Sequence, residues 1–350
     1  TGPDLTSTKS YMDKKEYRHI TLPNGLQCVL ICDTVAMRQR KLDGYYDDET
    51  EDDSDDSSSD DEDNDDGSED EDGTRKAATA LLVNVGSYHD PPYLQGLSHY
   101  LEHMLFLGTE TFPIENQYDS FLSQHGGDDN AYTDMEHTLY HYCIPQDNKQ
   151  HVWKALEMFS SFFKCPLLKG EMADRELKAV ESEFELNKNS DDARLSQLMS
   201  FTCGMDGNAP IMDNDWKSVL TTSTDDVGGG GDSSGKPFHP FAKFPWGNMN
   251  SLKTEPEAKG VDVMKELRDH YNTHYFARNM RLVVMAGYEL DEIQRQVVQF
   301  FKDVPTNPRS NVVDTNATTT NLHPYKMPFH SSSLGKIYRA LPVRDHHTLT

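Results

Sequence analysis

His99 and His103 stand four residues apart with Glu102 between them, in the order H-x-x-E-H. Residues four apart share one face of a helix, so both imidazoles can reach a single metal ion. Glu102 borders the same face and can approach a water held by that ion. The order is the reverse of the commoner H-E-x-x-H. Zinc lowers the pKa of a water it holds to about 7, where a carboxylate can take its proton. The plain alternative is three polar residues on a helix, in a chain that carries 15 His. A pattern with three fixed positions in five is rare by chance, and the metal reading is preferred.

A catalytic zinc needs a third protein ligand. The helical stretch 171–187 carries Glu176 and Glu183, seven apart and therefore on one face, and also Glu171, Glu181 and Glu185. Spacing does not choose among them. Each alone reads equally well as part of a solvated acidic face.

The elements that must hold these residues alternate between strand and helix. Residues 17–32 predict two strands joined by a turn at Pro23, Asn24 and Gly25. A strand is expected at 78–85, helices at 97–106 and 115–124, and strands at 130–133 and 137–144. His137 and His141 share a face of the last strand and read as structural rather than as ligands. Val152, Leu156, Phe159 and Phe163 recur at helical spacing, which predicts a helix over 150–164. Leu267 and Tyr271 mark another helix, 281–285 a strand, and Ile293, Val297, Phe300 and Phe301 a last helix. The pattern is that of an α+β domain with a mixed sheet packed with helices.

Charge is distributed unevenly. The net charge of −26 over 350 residues is dominated by a run at 47–72 with 18 Asp or Glu and no Lys or Arg; without it, 41 acids face 33 bases. Nucleic acid is therefore not an expected partner. The run lacks the apolar residues needed to offset the entropy of ordering, and we read residues 40–76 as a disordered insert. A second insert, rich in Gly, Ser and Asp, covers 221–236. The full division is a flexible segment at 1–15, the main domain at 16–305, a linker at 306–330 and the start of a second domain at 331–350. No apolar stretch is long enough for a membrane span. Five Cys (28, 32, 143, 165, 203) without framework spacing suit free thiols in a reducing compartment. A cytoplasmic protein is expected, with the reservation that the chain starts without Met and a targeting segment can precede it.

Four segments carry a family resemblance. Residues 96–108 (GLSHYLEHMLFLG), 121–127 (FLSQHGG), 174–183 (DRELKAVESE) and 239–248 (HPFAKFPWGN) resemble, in order, the inverted-zincin peptidases of the pitrilysin and insulin-degrading-enzyme group. The acidic insert resembles the nardilysin branch, whose members cleave at dibasic sites. The resemblance implies the fold of a pitrilysin or processing-peptidase domain, followed by a second homologous domain. It implies one Zn²⁺ per chain held by His99, His103 and Glu183, with Glu102 as general base and Glu176 as a carboxylate supporting the site. Asn130 and Ala131 would lie on an edge strand that pairs with substrate backbone; an ordinary loop-to-strand junction fits them equally well. Peptides, most of all basic ones, would be the substrates. A C-terminal half of the full-length chain would complete the enzyme, so this portion alone is expected to cleave weakly or not at all.

Two other readings remain. The acidic run can recruit basic partners by long-range, salt-dependent attraction, which would make this a binding protein. An insulin-degrading-type peptidase or a mitochondrial processing-peptidase subunit shares the same fold; the acidic insert argues against the latter, as does the absence of an Arg-rich transit pattern.

Overall fold

The computed structural model describes residues 9–42, 75–204 and 240–308. The acidic run at 47–72, the stretch at 221–236, His239, most of the linker and the segment 331–350 lie outside the described residues.

Six strands build one sheet: β1 (Glu16–Thr21), β2 (Gln27–Cys32), β3 (Lys76–Val83), β4 (Asp128–Thr133), β5 (Thr138–Pro145) and β6 (Met280–Ala286). Their spatial order is β1-β2-β6-β3-β5-β4. β2 and β6 run parallel, and every other neighbouring pair is antiparallel. Alternate residues of the central strands are buried: Leu81 and Val83 in β3, Tyr140, Tyr142 and Ile144 in β5, Leu282 and Val284 in β6. This is the period of two that a sheet covered on one face demands. β4 closes one edge, with Asn130 opposite His141 and Ala131 opposite Tyr140 in β5.

The helices are α1 (Thr34–Leu42), α2 (Leu97–Leu105), α3 (Gln117–Gln124), α4 (Lys149–Ser161), α5 (Gly170–Asn187), α6 (Asp191–Gly204), α7 (Glu255–Ala258), α8 (Val263–His274) and α9 (Leu290–Phe301). α4 starts where the Asn148 side chain accepts from the Gln150 amide at 2.9 Å. Its Val152, Leu156 and Phe159 are buried, as is Phe163 just beyond its end. Burying such side chains contributes about 1.5–3 kcal/mol each. Around them Tyr118, Tyr140, Tyr142 and Phe162 interlock edge to face, with the Tyr118 and Phe162 ring centroids 5.0 Å apart. The Tyr140 and Tyr275 hydroxyls meet at 2.8 Å and join the sheet to the end of α8.

Two differences from the sequence expectation stand out, beside shifts of one to three residues at other element ends. α1 is a helix that the sequence reading does not contain, and it runs through Leu42, so the ordered chain extends past residue 40. Only Ala36 is buried in it, which leaves almost no periodic signal. It is held from its ends instead. Asp33 Oδ1 accepts from the amides of Val35 and Ala36 at 3.1 Å each, a helix-start cap. Arg40 donates to the carbonyls of Gln146 and Gly287 and lies 3.8 Å over the Tyr288 ring. At the other end of the insert β3 starts at Lys76. The second difference is at β5, which starts at Thr138; His137 is in the preceding turn, where its carbonyl accepts from the Asp134 amide.

Asn24, in the predicted turn, ties the first hairpin to the last helix. Its buried amide donates to the carbonyls of Phe301 (2.8 Å), Lys302 (3.3 Å) and Val304 (3.0 Å), and its oxygen accepts from the Leu26 amide. Asn24→Ala leaves these end-of-helix carbonyls without their donor. It is expected to destabilise the fold by about 2–3 kcal/mol in a denaturant titration; a loss under about 0.5 kcal/mol, the range of ordinary surface substitutions, would contradict this anchoring role.

Candidate metal centre

α2 is amphipathic. Leu97, Tyr100, Leu101, Met104 and Leu105 are buried, while His99 and His103 come out on the remaining face. The Tyr100 hydroxyl donates to the carbonyl of Ala173 at 2.7 Å, which sets α5 beside α2. α5 buries Ala173, Leu177 and Val180 and turns Glu176 and Glu183 toward the imidazoles.

His99 Nε2 lies 3.3 Å from His103 Nε2 and 3.2 Å from Glu183 Oε2; His103 Nε2 lies 3.5 Å from Glu183 Oε1. Ligands about 2.0–2.1 Å from a tetrahedral zinc lie about 3.3–3.4 Å from one another, so these separations fit one face of such a site. Among the described residues these three form the group able to hold a metal ion. The other candidates on α5 are engaged elsewhere or turned away. Glu181 accepts from the Met249 amide, Glu185 pairs with Lys188, and Glu171 is exposed.

The tautomer of His99 suits a ligand. Its Nδ1 is 2.6 Å from the Trp246 carbonyl, an acceptor only, so the proton sits on Nδ1 and Nε2 offers its lone pair to the centre. This contact needs two segments of the chain to come unusually close. A Cβ on Gly96 would sit 2.1 Å from the Gly247 Cα, and both glycines have positive φ. Burial works against protonation of His99, but Glu183, the Trp246 carbonyl and Glu102 together raise its pKa above the ordinary value. Glu183 is held below the usual carboxylate range, chiefly by His99.

Glu102 is 7% exposed, and its Oε2 accepts from the Thr133 hydroxyl at 2.6 Å. Burial raises its pKa, opposed by Thr133 and the two imidazoles. Glu176 Oε2 is 3.8 Å from His103 Nδ1, an ion-pair distance rather than a hydrogen bond. Arg175 bridges Glu176 to Glu115. Glu176 is kept below the ordinary range first by His103, with burial opposing and Arg175 adding.

An open cleft of about 700 Å³ runs over the cluster, lined by Glu102, His103 and Glu183 on one side and by 129–135 on the other. Asn130 and Ala131 are there, on β4 at the sheet edge. The Ala131 amide points away from β5 and is taken by the Asn130 side chain at 2.8 Å. His137 packs against Tyr132, and His141 is in β5, neither belonging to the metal-capable group. Sequence reasoning missed Thr133, Trp246 and two acids, Asp119 and Asp129, that also line the cleft. Asp129 is pushed up to about 6 by burial and then by Asp119 and Asp128. Thr133 and Trp246 sit inside or beside quoted motifs, but a carbonyl or a hydroxyl contact leaves no spacing signal.

This fold and this cluster define a metallopeptidase-type domain. The chain belongs to the insulinase family, peptidase family M16. The family's description, Insulinase (Peptidase family M16), matches residues 68–210, and Peptidase M16 inactive domain matches 263–349. Insulin-degrading enzyme of Mus musculus is 33% identical over 337 residues, 96% of this chain and 25% of that protein. A nardilysin-like protein of Arabidopsis thaliana is 38% identical over 276 residues, 79% of this chain and 22% of that protein. The crystal structure of pitrilysin superposes with a TM-score of 0.61 at 25% identity, covering 86% of this chain and 24% of that one. The chain thus spans about a quarter of the length of the relatives it matches.

Glu183→Gln is expected to cost the protein most of its bound metal, a larger loss than the roughly 10–100-fold in affinity caused by removing an outer hydrogen-bond partner. Unchanged metal stoichiometry in elemental analysis would remove Glu183 from the centre.

Proposed function

We propose that the chain carries the metal centre of a zinc-dependent endopeptidase that cleaves oligopeptides, with preference for basic or dibasic sites. The observation that carries the reading is the 3.2–3.5 Å spacing of His99, His103 and Glu183 beside the buried carboxylate of Glu102, at the wall of an open cleft. Zinc held by these three residues would supply a Lewis acid for the scissile carbonyl and for water. Glu102 takes the proton of the attacking water and returns it to the leaving amine. The Thr133 hydroxyl holds one Glu102 oxygen and leaves the other for the water. Asn130 and Ala131 receive the substrate as an added strand: the peptide displaces the Asn130 side chain from the Ala131 amide and pairs with β4.

The preference for basic residues is supported by Asp119 and Asp129 in the cleft, since a cation placed between them relieves their mutual repulsion. The acidic run at 47–72 would add long-range attraction for basic peptides or partners, screened by salt. The names of the relatives, insulin-degrading enzyme and nardilysin, agree with peptide cleavage; the remainder of a longer chain is proposed to complete the substrate chamber.

In the full-length protein Glu102→Gln is expected to lower kcat by about 10²–10⁴-fold, the contribution of a general base. Zinc content should be unchanged, and near-normal turnover would exclude Glu102 from proton transfer. Asp129→Asn should reduce kcat/KM about 10–100-fold for a dibasic peptide, the worth of one hydrogen bond to a charged group. A neutral peptide should be cleaved as before. An equal loss on both peptides would separate the acid pair from basic selectivity.

A further inference from the structure

At the N-terminal end of α2 lies a buried polar network that takes no part in the chemistry above. Asp90 is 1% exposed and Lys243 9%. Asp90 caps the metal-bearing helix from outside it. Its Oδ2 accepts from the Gly96 amide at 2.8 Å, and its Oδ1 from the Ser98 amide at 2.9 Å and the Ser98 hydroxyl at 2.6 Å. His270 Nε2 meets the same hydroxyl at 3.0 Å. Burial pushes His89 down to about 4 and His270 to about 3, which keeps these rings neutral.

Lys243 enters from the segment 240–247. Its ammonium donates to the carbonyls of Tyr88 at 2.6 Å and Asp90 at 2.5 Å. The same segment is stitched to the helix entry at further points: the Phe244 amide donates to Gln95 Oε1 at 2.6 Å and Gly247 abuts Gly96, while just beyond it the Ser251 hydroxyl donates to the Gln95 carbonyl at 3.0 Å. Between these points sits Trp246, whose carbonyl holds His99 Nδ1. Burying a cation costs several kcal/mol unless it is well bonded. The buried Asp90 carboxylate supplies the opposing charge that offsets this cost, and the two carbonyls fix the ammonium on the main chain at the helix entry.

We propose that Lys243 is a positioning residue for the metal centre: by clasping the main chain of Tyr88 and Asp90 it holds the 240–247 segment in the register that keeps the Trp246 carbonyl on His99 Nδ1, and so keeps His99 Nε2 aimed at the metal. The inference rests on the His99, His103 and Glu183 centre proposed above. In its absence the segment loses its one charged anchor to the helix entry, and the Trp246 carbonyl is free to drift from the ring.

The test uses the full-length protein. Zinc affinity is measured by competition with a chromophoric chelator, and the visible bands of the cobalt-substituted protein report the ligand geometry. Lys243→Met should weaken zinc binding about 10–100-fold, as loss of a group orienting a ligand does, and should shift the cobalt bands, with the metal-free protein folded by circular dichroism. Gln95→Ala, which removes the partner of the Phe244 amide, should change both readouts in the same direction and serves if Lys243→Met does not fold. Glu183→Gln is the control that separates the two readings. If it weakens zinc binding while Lys243→Met and Gln95→Ala leave affinity and cobalt bands as in the unaltered protein, Lys243 only supports the fold and the proposal falls. If the unaltered protein and Glu183→Gln bind zinc equally, the centre itself is misassigned and the proposal falls with it.

Discussion

Two imidazole nitrogens held 3.3 Å apart, with a carboxylate within 3.5 Å of both, are an arrangement that a protein does not gain for stability. Lone pairs facing each other repel, and holding three rotatable side chains in one place costs entropy. The grouping becomes favourable when a cation sits among them. Much of the surrounding structure serves to hold it: the Tyr100 bond that sets α5 against α2, the glycine pair that lets Trp246 reach His99, and the Asp90 cap at the start of α2.

Three kinds of carboxylate lie in or beside the cleft, and environment rather than residue type separates them. Glu183 and Glu176 are drawn below the ordinary range by the imidazoles next to them and stay anionic. Glu102 is raised by burial, as the general base proposed above requires. Asp129 is raised to about 6 by burial and by its acidic neighbours, in keeping with the preference for basic peptides proposed above. The edge strand β4 unites these functions in six residues: Asp129 on the cleft, Ala131 with its amide turned outward, and Thr133 on the Glu102 carboxylate. A peptide added to that edge would run past Asp129, the cluster of His99, His103 and Glu183, and Glu102 in one pass.

Much of this was legible from sequence wherever a strong period or a short local spacing was available. The hairpin at 17–32, α4 and α5 appear within a few residues of their expected bounds, because each has a regular apolar repeat that burial enforces. α1 was invisible, since it is held by the Asp33 cap and the Arg40 contacts rather than by an apolar face. Alternation carries the expected strand back to His137, yet the turn bond between Asp134 and His137 makes β5 begin one residue later. Thr133, Asp129 and the Trp246 carbonyl were missed since their roles arise from which strand lies beside which helix.

What the sequence alone determined is the local chemistry: two imidazoles and a carboxylate on one helix turn, because the 3.6-residue repeat places them without help from the rest of the chain. It also determined the two-faced strands and the uneven charge. The tertiary structure decided which of five glutamates on α5 completes the cluster. Glu176 and Glu183 share a face, and spacing treats them alike; only the packing of α5 on α2 brings Glu183 to 3.2 Å from His99 and leaves Glu176 at 3.8 Å from the far nitrogen of His103. It also decided the parallel pairing of β2 with β6 across some 250 residues of chain, and it placed β4 at one edge of the sheet, paired with β5 alone. Contacts between residues so far apart depend on the summed packing of the whole core, and no local pattern encodes them.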